Sequence, residues 1–247
     1  MGRLVLLGFA ASVAAISVSA RQPDARSAKA AMQEKVATLK QSLAQNQAAL
    51  KSYTWTETTQ ISLNGEVKKT EQKLCHYGPD GKVQKADLPG ATPAQQPQQE
   101  SRGRRGGALK QSIVKKKVGE MKDYMERVAA LVHEYVPPNA ERIQAVQAAG
   151  NVFMQPAPST GGANLTFKNY LKQGDSVALG FDLAAKKIRS YDVQSYLDKP
   201  KEDDVMLAVS FASLPDGTNY PQQSVIDATG KKIQIKVTNS GYTKSGR

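Results

Sequence analysis

The chain has 247 residues, of which 40% are hydrophobic, a formal net charge of +12 and one cysteine, Cys75. This length suits a single globular domain, and one cysteine excludes a fold held together by internal disulfides, so buried apolar area has to provide the stability. A strongly basic protein favours anionic partners such as lipid headgroups or acidic polysaccharide.

The first twenty residues have the layout of a secretory signal peptide. Arg3 precedes an apolar stretch at 4–18, and small residues up to Ala20 suit cleavage by a signal peptidase. We therefore predict export to the periplasm or the extracellular space, with cleavage near Ala20. An uncleaved N-terminal anchor is the alternative. Residues 21–28 are predicted to be a flexible leader, and 29–247 a single domain.

An amphipathic helix and a β-hairpin follow the leader. The helix begins at Lys29, and its apolar residues recur at helical spacing: Met32, Val36, Leu39, Leu43 and Leu50. The hairpin consists of an alternating strand over 53–63, an Asn64-Gly65 turn and a return strand over about 66–77. Asn-Gly is the strongest two-residue hairpin signal, because both residues tolerate positive φ.

A basic segment separates the hairpin from a second helix. Residues 88–107 are rich in Pro, Gln, Gly and Arg and lack apolar periodicity, which predicts a disordered loop. The helix has an apolar stripe from Ile113 to Tyr135 and stops at the prolines of 137–138. Seven cations lie across the junction: Arg102, Arg104, Arg105, Lys110, Lys115, Lys116 and Lys117. We predict that they either bind an anionic membrane surface or belong to a solvated loop. Nucleic acid is not expected, since no aromatic side chain is interleaved for base stacking.

The C-terminal part consists of strands and tight turns after a short helix at about 140–149. Alternation predicts a strand over 165–171, and residues 205–214 are apolar on both faces, which predicts a central strand covered on both sides. Strands joined by short turns pair antiparallel. We therefore predict an α+β fold: one curved antiparallel sheet of about eight to ten strands, a half-barrel, covered by the N-terminal helix and a central helical lid.

No catalytic or metal-binding motif is present in the sequence. His76 and Cys75 are neighbours on a strand and point to opposite faces, and His133 lies near a helix end. The acidic run at 202–204 lacks the alternating spacing of a calcium loop, so a solvated turn is predicted. Three further aspartates are assigned to turns and strand faces: Asp175, Asp182 and Asp192. We predict a protein that is not an enzyme and has no metal or cofactor; a hydrolase site assembled from distant residues is the alternative.

Two stretches carry a resemblance to a known family. They are the first hairpin, LKSYTWTETTQISLNGEVKKTEQKLCHYGPDGKVQK, and the C-terminal phrase SVIDATGKKIQIKVTNSGYTK. With the signal peptide and the N-terminal helix, their order resembles the LolA/LolB-like group of periplasmic proteins, and in particular its outer-membrane lipoprotein-sorting-like branch. The resemblance implies a half-open antiparallel barrel whose helices form a lid over an apolar concavity, which in the carriers of this family shelters acyl chains. The basic loop and the long helix after it are larger than in the carriers, and no functional residue is transferred.

The leading hypothesis is an exported, non-catalytic protein that carries a lipid, an acyl chain or a lipoprotein in an apolar groove. Alternation and helical phase select eight groove candidates: Trp55, Ile61, Met121, Met125, Leu179, Phe181, Val209 and Phe211. Trp55 is equally consistent with plain core packing against the first helix. The alternative function is a structural or envelope-interaction protein whose core is filled by its own helices and whose basic loop binds anionic surfaces. A continuous apolar pocket of about 300 Å³ or more favours carriage, and a packed interior favours the alternative.

Overall fold

The described part of the chain, in a computed structural model, consists of residue 41 and residues 44–88, 107–157 and 161–245. Within 107–115 the backbone alone is described. The predicted signal peptide at 1–20 and leader at 21–28 lie outside the described residues. The same holds for nearly all of the predicted loop at 88–107 and for most of the helix predicted from Lys29.

The described residues form ten strands and three helices, so the fold is mostly β. In chain order the elements are α1 (44–50), β1 (Tyr53–Leu63), β2 (Glu66–Tyr77), β3 (Val83–Asp87), α2 (Gly107–His133), α3 (Ala140–Ala148), β4 (Val152–Ala157), β5 (Gly162–Lys168), β6 (Ser176–Asp182), β7 (Lys187–Tyr196), β8 (Asp204–Ser213), β9 (Asn219–Ala228) and β10 (Ile233–Lys244). No helix in the described ranges is both long enough and apolar enough to cross a bilayer.

All ten strands belong to one open antiparallel sheet, in the order β3-β2-β1-β10-β9-β8-β7-β6-β5-β4. From β4 to β10 the strands form a meander of sequence neighbours, and β1 lies between β2 and β10. The edges are β3 and β4. The prediction of a single antiparallel sheet of about eight to ten strands is confirmed. The sheet is not closed, and its predicted half-barrel curvature and helical covering stay predictions.

The first hairpin forms where the sequence predicts it. Asn64 and Gly65 have φ of 53° and 82°, which is the left-handed pair that a two-residue type I′ turn requires. This turn matches the right-handed twist of the strands that it joins. Its chemistry therefore sets the pairing next to the turn, and a bulge between Ile61 and Ser62 shifts the register of the rest of β1 on β2 by one residue.

The two described C-terminal helices also agree with the predicted ones. The long helix α2 begins six residues before the predicted apolar stripe and ends at His133, ahead of the two prolines. The short helix α3 starts at the N-cap Asn139, whose side chain accepts hydrogen bonds from the backbone N–H groups of Glu141 and Arg142 at 2.9 and 3.0 Å.

The prediction that residues 205–214 are covered on both faces is wrong. In β8 the burial alternates: Val205 and Leu207 are buried, whereas Met206 and Ala208 are exposed. The strand is central in the sheet, but one of its faces meets helices and the other meets solvent. An antiparallel sheet tolerates small apolar side chains on a solvent face, so continuous apolarity did not indicate two-sided burial.

The strand predicted over 165–171 ends early, and one strand escaped prediction. Asn169 has a φ of 54°, so β5 stops at Lys168 and the chain enters a loop. The unpredicted strand is β4, whose residues Val152–Ala157 include Pro156 and do not alternate between apolar and polar. An edge strand tolerates proline because it needs ladder hydrogen bonds on one side only.

The helices α2 and α3 contact one face of the sheet through two apolar clusters, and we call this face the packed face. The first cluster joins Tyr135 and Val146 to buried residues of β5, β6, β7 and β8. The second joins Tyr124 and Val128 of α2 to Val205, Ala228 and Ile233. The clusters share three partly buried neighbours: Leu131, Val132 and Ile226. The apolar core of the described residues is therefore continuous along α2.

Candidate functional site

Six of the eight groove candidates belong to the two apolar clusters on the packed face. Those in the second cluster are Ile61, Met121 and Met125, and those in the first are Leu179, Val209 and Phe211. All six are partly buried. Phe181 is also partly buried and lies on β6 opposite Ala163. Trp55 lies in an aromatic cluster elsewhere on the sheet.

The space between α2 and the sheet is almost filled by side chains of the protein itself. A cavity there has a volume of about 10 Å³, and its walls include Leu131 and Val132 from α2 and Val193 and Leu207 from the sheet. This volume holds at most one water molecule. An acyl chain therefore enters this contact only if α2 moves away from the sheet.

A buried hydrogen-bond network fastens the end of α2 to the sheet. The hydroxyl of Tyr135 donates to Oδ2 of Asp175 at 2.6 Å, and its oxygen lies 2.8 Å from Oγ of Ser195. The Tyr191 hydroxyl donates to the backbone carbonyl of Tyr135 at 2.5 Å. Burial, followed by the bond to Asp175, raises the pKa of Tyr135, so the phenol stays protonated at physiological pH.

Asp175 is the residue that sequence reasoning missed. Its side chain is 2% exposed, and besides Tyr135 it accepts backbone N–H groups from Tyr170, Leu171 and Lys172 at 2.6 to 3.0 Å. Four donors occupy the carboxylate, which leaves it badly suited to act as a general base. The Gly174-Asp175 turn signal located the residue, but nothing in the local sequence indicated a tyrosine forty positions earlier as its partner.

The aromatic cluster that contains Trp55 is closely packed. Trp55 is 5% exposed and stacks on Tyr242 with ring centroids 5.5 Å apart and an interplanar angle of 9°. Tyr77 and Tyr220 extend the cluster, and the indole N–H of Trp55 donates to Oδ1 of Asn239 at 3.2 Å. Burial raises the pKa of Tyr77 and of Tyr242. The indole has its hydrogen-bond partner, which suits core packing.

The predicted basic segment is described only in its helical part. Lys116 and Lys117 are exposed on α2, Lys110 and Lys115 lie on the same helix, and three candidates lie outside the described residues: Arg102, Arg104 and Arg105. The first eleven residues of α2, 107–117, contain four lysines and no acidic residue. The positive end of the helix dipole adds to this charge. The first eleven residues of α2 therefore carry a local excess of positive charge.

The one cysteine and the two histidines form no catalytic pair that the geometry supports, because the neighbours Cys75 and His76 point to opposite faces of β2 and His133 lies at the end of α2. Cys75 is fully buried, and burial is the main reason why the pKa of its thiol is raised. His133 is exposed at the end of α2, and His76 is on β2. Across the described ranges, no group of three or more His, Cys, Asp or Glu is arranged to hold a metal ion.

A surface depression of about 420 Å³ lies where the β1–β2 and β9–β10 turns meet. Its lining is mixed, with Ser62, Lys232 and Ile233 among the residues, and Nε2 of Gln234 donates to Oδ1 of Asp227 at 2.9 Å. We assign no ligand to this depression.

Comparison with known proteins found no matching family model, no matching curated protein and no matching solved structure.

Proposed function

We propose that the protein is an exported, non-catalytic interaction protein that docks on anionic envelope surfaces through the first eleven residues of α2. The observation that carries the proposal is the division of α2. Residues 107–117 contain four lysines and no acidic residue, whereas Tyr124 and Val128, further along the helix, are buried against the sheet. One end of the helix is anchored, and the other presents positive charge.

Two further properties support this function. The net charge of +12 favours association with anionic surfaces, and each cation near an anionic bilayer contributes about 1 kcal/mol. The cavity of about 10 Å³ between α2 and the sheet favours a core filled by the protein itself over a preformed acyl-chain groove. The proposal of export rests on the signal-peptide layout of the first twenty residues. The sequence resemblance to LolA/LolB-like periplasmic proteins is consistent with export and is part of the same proposal.

Co-sedimentation with lipid vesicles tests the docking function. The protein is expected to bind vesicles that contain phosphatidylglycerol, not phosphatidylcholine alone, and to be released by salt. Replacing Lys115, Lys116 and Lys117 by Gln should weaken binding on the order of 100-fold, at about 1 kcal/mol per lysine.

The matched control removes equal charge from exposed positions elsewhere: Lys51, Lys82 and Lys199, each replaced by Gln. It should lose much less affinity. Equal losses in the two triple variants would show that net charge alone drives binding, and absence of binding to the anionic vesicles would end the proposal.

Acyl-chain carriage is the second candidate, and it has one observation in its favour. Six of the eight groove candidates pack in the two clusters that α2 joins through Leu131 and Val132, so displacement of this helix would open both clusters. Lipid extraction of the protein purified from its host, followed by mass spectrometry, tests this candidate. Recovery of no lipid, together with no uptake of a fluorescent fatty acid, would contradict it.

A further inference from the structure

The edge strand β4 is built differently from the edge strand β3. Its six residues, Val152–Ala157, carry no charge, and Phe153 and Met154 are 44% and 52% exposed. Edge strands present unpaired backbone groups, and soluble proteins commonly protect them with charge or proline. Pro156 protects one end of β4, and the stretch before it is uncharged and has two large exposed apolar side chains, so this stretch is the part of the edge that needs a partner.

The direction of each backbone group of β4 follows from its pairing with β5. The N–H of Lys168 donates to the carbonyl of Asn151 at 2.9 Å, and Val152 is paired with Phe167. Hydrogen-bonded and non-hydrogen-bonded pairs alternate along an antiparallel ladder, so Val152, Met154 and Pro156 point their backbone groups away from β5. The outward donors are therefore the N–H groups of Val152 and Met154, since proline has none.

In the edge strand β3, charged residues occupy positions whose backbone groups point away from the sheet. The N–H of Gly78 donates to the carbonyl of Lys82 at 2.8 Å, so by the same alternation Val83, Lys85 and Asp87 face away from β2. The ammonium of Lys85 lies 2.6 Å from Glu57, and Asp87 pairs with Lys73. Charges at two of three outward positions protect this edge in the usual way.

We propose that β4 pairs antiparallel with β4 of a second copy of this chain, about a two-fold axis that passes between the two Phe153 residues. In this register Val152 of each copy exchanges both backbone hydrogen bonds with Met154 of the other, and all four outward donors meet a carbonyl. Pro156 lies beyond the paired stretch, where its missing N–H costs nothing. In a register centred on Met154, Pro156 of one copy lies opposite Val152 of the other. Because proline has no N–H, the carbonyl of that Val152 then receives no hydrogen bond.

The side chains fit the same axis. The two Phe153 rings form a non-hydrogen-bonded cross-strand pair, the closer of the two pair types, and Val152 lies opposite Met154 twice on the other face of the sheet. Lys168, whose ammonium is 4.9 Å from the Phe153 ring centroid, brings one positive charge from each copy near the axis. Salt should therefore strengthen the dimer, because it screens the repulsion between the two ammonium groups. The contact is small, so an affinity in the micromolar range is expected.

Sedimentation velocity of the purified chain over a concentration series tests the pairing. The sedimentation coefficient should rise from the monomer value to the dimer value, and added salt should shift the midpoint to lower concentration. Phe153→Lys places two ammonium groups face to face and should weaken the dimer at least about tenfold. Met206→Lys introduces the same charge at an exposed methionine of β8 and should leave the dimer unchanged. Both variants are checked for a native circular dichroism spectrum.

Cysteine cross-linking tests the register. Phe153→Cys should form a disulfide-linked dimer on mild oxidation, because Cα atoms of a non-hydrogen-bonded pair lie about 4.5 Å apart, within disulfide range. Met154→Cys and Met206→Cys are the controls, and the native Cys75 is fully buried. A monomer at every concentration, faster cross-linking through Cys at 154 than at 153, or open-ended oligomers would each overturn the proposal; the last would indicate head-to-tail pairing. None of these outcomes bears on vesicle binding.

Discussion

Asp175 shows how much of this protein depends on single buried polar side chains. A carboxylate that is 2% exposed is stable only when its hydrogen bonds are satisfied, and Tyr135 and three backbone N–H groups satisfy them here. The network holds the loop between β5 and β6 against the end of α2. The sequence correctly predicted a turn at this aspartate, but the burial of its side chain required the tyrosine from another element.

Replacement of Asp175 by Asn is therefore expected to destabilise the fold. An amide keeps one acceptor oxygen and turns two donors toward groups that are themselves donors, so the free energy of unfolding should fall by about 2–4 kcal/mol. Urea unfolding followed by circular dichroism measures the change. Asp192→Asn, at a half-buried carboxylate of β7, is the control and should change stability by less than about 1 kcal/mol. Equal effects at the two positions would contradict the role given to the network.

At the scale of elements, local chemistry predicts well wherever it is strong. The Asn64-Gly65 turn, the helix before the two prolines and the strands of the first hairpin form at the predicted places. The failures occur where the pattern is ambiguous. The proline-containing β4 lacks alternation, and the apolar run of β8 does not distinguish a strand covered on one face from a strand covered on both.

The helix α2 should contribute to stability through its buried face alone. Val128 is 1% exposed in the second cluster, so Val128→Ala removes two buried carbon atoms and leaves a cavity, at a cost of about 2–3 kcal/mol. Val118→Ala makes the same chemical change at a residue of α2 that is 64% exposed. It should change the free energy of unfolding by less than about 0.5 kcal/mol. Similar losses in the two variants would contradict the packing role given to Val128, because Ala has a higher helix propensity than Val and the exposed substitution should cost nothing through propensity.

At the scale of the whole molecule, one aspartate links distant parts of the chain. Asp216, in the β8–β9 turn, accepts the hydroxyl of Tyr53 at 2.5 Å and lies 3.0 Å from the ammonium of Lys244. The start of β1 and the end of β10 are thereby fastened to the same turn. The hydroxyl of Tyr53, then the backbone N–H of Thr218 and the side chain of Lys244, hold the pKa of Asp216 well below its usual value.

Stability is therefore expected to decrease in acid. Because the folded state lowers the pKa of Asp216, its contribution is complete above the pKa of the unfolded chain, about 4, and is lost as the pH falls further. Thermal melts between pH 6 and pH 2 (a range set by that pKa) should show a falling midpoint, and Asp216→Asn should reduce the slope. Asp80→Asn, at a turn aspartate that accepts the N–H of Lys82, is the control. An unchanged slope in Asp216→Asn would contradict the assignment.

The sequence by itself determined the first hairpin, the two C-terminal helices and the antiparallel pairing of the strands. These properties depend on turn residues, proline and side-chain periodicity, which act over a few positions. Only the tertiary structure decided that β1 lies against β10, that Asp175 meets Tyr135, and that a cavity between α2 and the sheet has a volume of about 10 Å³. The physical reason is that strand order, buried polar pairs and cavity volume depend on the simultaneous packing of residues far apart in the chain, which no local pattern encodes.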